Sequence, residues 1–201
     1  MLHCDISTGN IFILPMVHVL ASKRSTKGEK KTRVLWCGIL GDWELAKKCP
    51  DAHEMSQSGR RLKQRAGTWY FMSVYAVNNP NTPISIADEL ESFFHVLLYL
   101  AIRYLRSTLQ NRGPGIFIDA YFDSWGKDGD GTLMCSIVKG NIVYYGRLAF
   151  NRKPIAFLPD PQHPNSESDE HDEPVVDASH PPSPLNHLIL VLLDHFKAHY
   201  A

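Results

Sequence analysis

Near the start of the chain the octapeptide His3-Cys4-Asp5-Ile6-Ser7-Thr8-Gly9-Asn10 sets a carboxylate, Asp5, five residues ahead of an amide, Asn10, just before the apolar run Ile11 to Leu14. That spacing suits phosphoryl transfer, in which a carboxylate accepts the proton of an attacking hydroxyl and an amide oxygen holds a magnesium ion. Downstream, Trp36 to Leu40 has the composition of a short strand, and Asp42-Trp43-Glu44 follows it. The Asp42 carboxylate is a second oxygen donor of the kind such an ion takes. Magnesium prefers oxygen donors in octahedral geometry, and one carboxylate, one amide oxygen, phosphate oxygens and water complete it.

The elements that must position these groups are legible in part. The chain has 201 residues, 44% of them hydrophobic, which suits a single core. Its formal net charge is zero, so no overall field draws it to nucleic acid or to an acidic membrane surface, and neither is expected as a partner. Cys4, Cys37, Cys49 and Cys135 form no C-x-x-C pair and no signal peptide precedes them. Reduced thiols in an intracellular compartment, cytoplasm or nucleus, are expected.

Residues 22–33 crowd basic side chains around a single acid, Glu29, and predict a solvated loop insertion. Residues 44–63 are polar and lack sustained periodicity, as a connecting loop would be. The strongest element is Ile86 to Leu105, where Leu90, Phe93, Phe94, Leu97, Leu98, Ala101, Ile102 and Leu105 follow helical spacing and apolar residues also occupy the opposite side. A central buried helix is expected rather than a membrane span, because the stretch between His95 and Arg103 is far short of the roughly 20 residues a bilayer needs. Ser85 and Asp88 fit a capping pattern at its start. A sharper role for Asp88 is to accept backbone amides of the Asp5 loop.

Further along, Gly113-Pro114-Gly115 predicts a turn and the segment Gly126 to Gly131 a hairpin turn. The latter is no calcium loop, since Gly126 stands where the first ligand belongs and Ile137 where the bidentate Glu belongs. Residues 159–183 are rich in Pro and acids and are expected to be a disordered insertion; His163, His171 and His180 within it are too irregularly spaced for a metal tract. Ser183 and Pro184 predict the start of a last helix, whose stripe Leu185, Leu188, Ile189, Leu192, Leu193 and Phe196 should dock on the core.

Four motifs in order, HCDISTGN, ILGDWELAKK, RAGTWYFMS and ADELESFFHVLLY, resemble the C-terminal lobe of a eukaryotic protein kinase and most closely the fungal-type protein kinase domain. The resemblance spans roughly residues 2–105 and resumes at the closing helix. It implies an α+β, mainly α fold: a kinase-like C-terminal lobe over residues 1–158 and 184–201, with a short β pair carrying Asn10 and Asp42 at its ends. It implies Asp5 as catalytic base, His3 as the packing residue of its loop, Asn10 and Asp42 as magnesium ligands, and Gly67 and Thr68 as the loop that positions a substrate hydroxyl. Asp88 would be the anchor of the catalytic loop. The implied activity is ATP-dependent phosphoryl transfer to Ser or Thr hydroxyls of a protein substrate, with Mg2+ and ATP as cofactors.

Several positions depart from that pattern. Cys4 stands where kinases usually carry an Arg that pairs with a phosphorylated loop, and a thiol cannot make that charge-assisted pair. Ser7 replaces a phosphate-contacting Lys, Trp43 the usual Phe, and Ser73-Val74-Tyr75 the usual Ala-Pro-Glu. Only Met1 and Leu2 precede His3, so the expectation is a truncated chain without the N-terminal lobe, inactive in isolation. Two alternatives stand beside it: a non-catalytic pseudokinase-like interaction module, and a small-molecule phosphotransferase of the aminoglycoside or choline type. Gly67-Thr68-Trp69 and the Asp88 helix count against the second of these.

Overall fold

A computed structural model describes residues 1–20, 31–48, 68–159 and 183–201. Among the described residues, the architecture is mixed, mainly helical, with three separate antiparallel strand pairs. Strands β1 (Ile11–Leu20) and β2 (Lys31–Leu40) pair from Ile11 opposite Leu40 to Leu20 opposite Lys31. This corrects two expectations. The pair is ten residues long rather than short, and Lys31, Thr32 and Arg33 belong to β2 rather than to the basic loop. Pairing satisfies backbone donors and acceptors that a solvated loop would leave to water. Pro15 is tolerated opposite Trp36 because β1 lies at an edge of a two-stranded ribbon.

Helix α1 (Val74–Asn78) begins at Ser73, whose Oγ accepts from the Ala76 amide at 2.9 Å. Helix α2 (Ile86–Tyr104) then forms the centre of the fold, with the expected reciprocal cap between Ser85 and Asp88. Phe94, Leu98, Ala101 and Ile102 are buried, but Leu90, Phe93 and Leu105 of the expected stripe are exposed, so α2 is covered on part of its circumference only. Gly113-Pro114-Gly115 opens helix α3 (Gly113–Ile118) instead of making a turn, with Pro114 in the first helical turn, where its missing N–H costs nothing. A π turn, Asp119–Asp123, continues it and buries Tyr121 and Phe122.

Strands β3 (Trp125–Lys127) and β4 (Leu133–Cys135) form the expected hairpin, closed by Asp128 Oδ1 accepting from the amides of Asp130 and Thr132 at 3.1 and 3.0 Å. Helix α4 (Ile137–Tyr145), a tight hairpin of β5 (Ala149–Phe150) and β6 (Lys153–Pro154), and helix α5 (Pro184–Tyr200) complete the order. Helix α5 buries Ile189, Leu193 and Phe196 of the expected stripe, with Leu188 turned to solvent. Ser183 precedes it without a side-chain cap; the Asn186 amide bonds its carbonyl instead.

The core gathers Phe94, Leu98 and Ile102 of α2, Phe117 and Tyr121, Ile142 and Val143 of α4, and the α5 face, and it reaches Ile6 and Phe71 near the N-terminal loop. Burial of each large side chain contributes about 1.5–3 kcal/mol, so this core fixes the helices against which that loop rests. The acidic residues 160–182, Cys49 and most of the basic loop lie outside the described residues. Cys4, Cys37 and Cys135 are free thiols. Among the described residues, no helix is long and apolar enough to cross a membrane.

Candidate functional site

Leu2 and His3 hold the N-terminal loop to the segment after β2. Leu2 pairs with Lys47 through two backbone bonds, of 2.7 and 2.9 Å, and so ties the chain start to the segment after β2. His3 is buried; its Nδ1 accepts from the Asp5 amide at 3.3 Å and its Nε2 donates to the Gly41 carbonyl at 2.7 Å. The ring also meets Trp43 edge-on, with centroids 4.8 Å apart. His3 thereby spans the loop and the turn that carries Asp42. Cys4 takes a left-handed φ of 68°, which turns the chain sharply just before Asp5.

Asp5 is half-buried and both its carboxylate oxygens are engaged. Oδ1 accepts from the Thr68 amide at 2.7 Å and from Thr68 Oγ1 at 3.0 Å, and Oδ2 accepts from Asn10 Nδ2 at 3.2 Å. Asn10 Nδ2 also donates to the Asp5 carbonyl at 2.8 Å, so its amide oxygen is the atom of that side chain left to ligate. The Gly41 amide bonds the Asn10 carbonyl at 2.8 Å, extending the β1–β2 pairing by one step. Asp42 follows directly, exposed, at φ 58° and ψ 66°, with no side-chain capping bond. Asp5, Thr68, Asn10 and the backbone bearing Asp42 thus meet at one end of the ribbon. Gly67 lies outside the described residues.

The expected anchor is displaced by one residue. Asp88 is buried, but its carboxylate receives the Ser73 hydroxyl and, at 2.7 and 2.6 Å, the amide and hydroxyl of Ser85. The amide of Cys4 is taken instead by Glu89 Oε1, at 2.6 Å. Consecutive helical residues lie about a quarter turn apart, so with Asp88 directed to Ser73 the next residue, Glu89, is directed to the loop. Glu89→Ala should cost about 1–2 kcal/mol and speed hydrogen exchange at the Cys4 amide, with Glu89→Gln retaining most of the protection. Asp88→Ala should leave that amide protected, and the reverse pattern by NMR would restore Asp88 as the anchor.

Sequence reasoning passed over a second polar layer below the first. Glu91 is 1% exposed and accepts from the Val74 amide at 2.8 Å, His95 Nε2 at 3.0 Å and the Tyr200 hydroxyl at 2.6 Å. His95 Nδ1 accepts from Tyr121 at 3.1 Å. Lys139, 3% exposed, donates to the carbonyls of Tyr70 and Met72 at 3.0 and 2.6 Å. These groups fix residues 70–75, which follow Thr68.

Charges follow burial. Burial, then the nearby Lys139 ammonium, hold the His95 imidazole down at about 4, so its contact with Glu91 is a hydrogen bond rather than an ion pair at neutral pH. Burial opposes ionisation of Glu91, yet hydrogen bonds from His95, Tyr200 and Val74 outweigh it and hold the carboxyl below its ordinary range. Lys139 is lowered to about 8 by burial, with Glu91 acting against the shift. The pattern that hides this layer is its lack of period: one Glu, one His and one Lys on mostly apolar helices.

The loop, the ribbon and the buried helix behind them are the arrangement expected of a protein-kinase-like domain. The model of the family described as Fungal protein kinase matches residues 1–101, half of the chain, and the chain belongs to that family. The match ends within α2, so α3 to α5 extend beyond it. No curated protein and no solved structure matches the chain.

Proposed function

We propose that residues 1–158 and 184–201 form the C-terminal lobe of a protein kinase fold and that the Asp5 loop serves ATP-dependent phosphoryl transfer to Ser or Thr hydroxyls of a protein. The observation that supports this most is the Asp5 carboxylate receiving both Thr68 donors and the Asn10 amide. A hydroxyl seated beside Thr68 would meet a carboxylate already oriented to accept its proton. His3, buried between the loop and Gly41, would keep that carboxylate in place.

A magnesium ion fits the remaining donors: the Asn10 amide oxygen and the exposed Asp42 carboxylate are hard oxygen ligands at adjoining ends of paired strands. Bound there, the ion would neutralise phosphate charge. Among the described residues, the cleft beside Asp5 is lined by residues such as Ile6, Thr68, Met72 and Ile84 and by no Lys or Arg. Preorganised positive groups supply much of the rate of such reactions, so transfer by the isolated chain should be slow.

Binding is therefore the first readout. With magnesium and a fluorescent ATP analogue, Asp42→Ala and Asn10→Ala are each expected to weaken binding about tenfold, as the loss of one metal ligand should. Phosphate transfer from labelled ATP to a broad protein substrate should fall to background in Asp5→Ala. Transfer that survives Asp5→Ala undiminished would overturn the catalytic role. Nucleotide binding with no dependence on magnesium or Asp42 would favour a non-catalytic interaction module.

A further inference from the structure

On the side of the fold formed by α4, the β5–β6 hairpin and α5, two open clefts of about 580 and 460 Å³ share Arg147, Ala149 and Arg152 in their walls. The first adds Lys197, Tyr145, Phe150 and the amide side chains of Asn141 and Asn151. The second is walled by Leu148, Pro154, Ile155, Ile189 and Leu190. Neither, among the described residues, is lined by an Asp or Glu. Among the described residues, Arg147, Arg152 and Lys197 make no ion pair. These three cations line a common space with no Asp or Glu beside them among the described residues.

Two backbone features hold these cations where they are. The turn joining β5 to β6 places Asn151 at φ 49° and Arg152 at φ 65°, both left-handed. Asn suits that conformation, whereas the second position of such a turn favours Gly and disfavours a long side chain. An Arg kept there is held against its local preference, as occurs at binding sites. Gly146 ends α4 at φ 66°, and a Cβ at that position would approach Lys197 Cδ to 3.1 Å. The missing side chain lets the Lys197 stem lie against the chain next to Arg147.

We propose that this double cleft binds a phosphorylated protein segment, with the phosphoryl group among Arg147, Arg152 and Lys197 and an aliphatic side chain of the same segment against Ile155, Ile189 and Leu190. A phosphoserine or phosphothreonine carries nearly two negative charges and three acceptor oxygens, which matches two guanidinium forks and an ammonium better than one carboxylate does. Nucleic acid fits less well. The chain carries no net positive charge, and although Tyr145 and Phe150 line the first cleft, the second offers aliphatic walls that suit a side chain and not a base. The site lies apart from Asp5 and does not depend on the catalytic role proposed for it.

Fluorescence anisotropy of the full 201-residue chain tests this, using a labelled decapeptide library with one fixed phosphoserine, one fixed Leu and randomised flanks. The phosphorylated library should bind at least tenfold more tightly than its unphosphorylated counterpart, with affinity falling as salt rises. Arg147→Ala should weaken binding at least fivefold. Arg152→Gly should do the same while leaving the melting temperature unchanged or raised, since Gly suits the turn. That split separates a ligand contact from a structural role. Equal binding of the two libraries, undiminished binding by Arg152→Gly, or tighter binding of a single-stranded RNA decamer at the same salt would each overturn the proposal.

Discussion

Replacing Glu91 by Ala is expected to remove about 3–5 kcal/mol of stability, a large share of the roughly 5–15 kcal/mol that holds a domain folded. Three donors converge on this one carboxylate: the Val74 amide, His95 Nε2 and the Tyr200 hydroxyl. Truncation leaves all three without an acceptor in a site 1% exposed, and it strips the buried Lys139 ammonium of a nearby negative charge. Glu91→Gln keeps an acceptor and the shape but not the charge, so its loss should fall between those of wild type and Ala. Urea denaturation with both variants gives the measurement. A loss under about 1 kcal/mol for Glu91→Ala would equal an ordinary hydrogen bond and would show that the layer does not act as a unit.

Acid should unfold the chain over a window set by His95. In the folded state its imidazole is held at about 4, first by burial and then by Lys139, against an ordinary value of 6.5. As pH falls below 6.5 the unfolded chain takes up this proton before the folded one does, so stability present above that pH is lost down to about 4. The loss is about 3 kcal/mol. Below it, Glu91 adds to the decline, because its lowered carboxyl protonates later in the fold than in the unfolded chain.

On the alkaline side the signs differ. Lys139, lowered to about 8 from 10.5, adds stability between those values, because the folded chain releases this proton first. Tyr121 and Tyr200, raised by burial, then lose stability above pH 10. Midpoints in urea across pH 4 to 7 test the acid limb. His95→Gln should flatten that limb, and an unchanged slope in the variant would assign the acid sensitivity to other groups.

Much of the site's local part was legible. Asp5 and Asn10 lie within one loop, and a side chain five residues away can return to its own backbone, as Asn10 does to the Asp5 carbonyl. The family motifs implied a β pair carrying Asn10 and Asp42 at its ends, and the Gly41 to Asn10 bond shows the register. Helical spacing marked α2 and α5, while leaving open which side of each is covered. Leu90 and Phe93 read like Phe94 in sequence, yet only Phe94 is buried.

Sequence by itself thus determined helices α2 and α5, the Ser85–Asp88 cap, the β3–β4 hairpin and the family motifs, because these depend on φ/ψ preference, apolar period and contacts within a few residues. Tertiary structure alone decided the polar contacts made over distance. Thr68 meets Asp5 across 63 residues, Glu89 meets the Cys4 amide across 85, and Tyr200 meets Glu91 across 109. An isolated carboxylate has no period, so a buried Glu91, a loop-anchoring Glu89 and a solvated acid look alike along the chain. Which of them is buried, and against what donor, is settled only when the helices pack and each face of α2 acquires its neighbour.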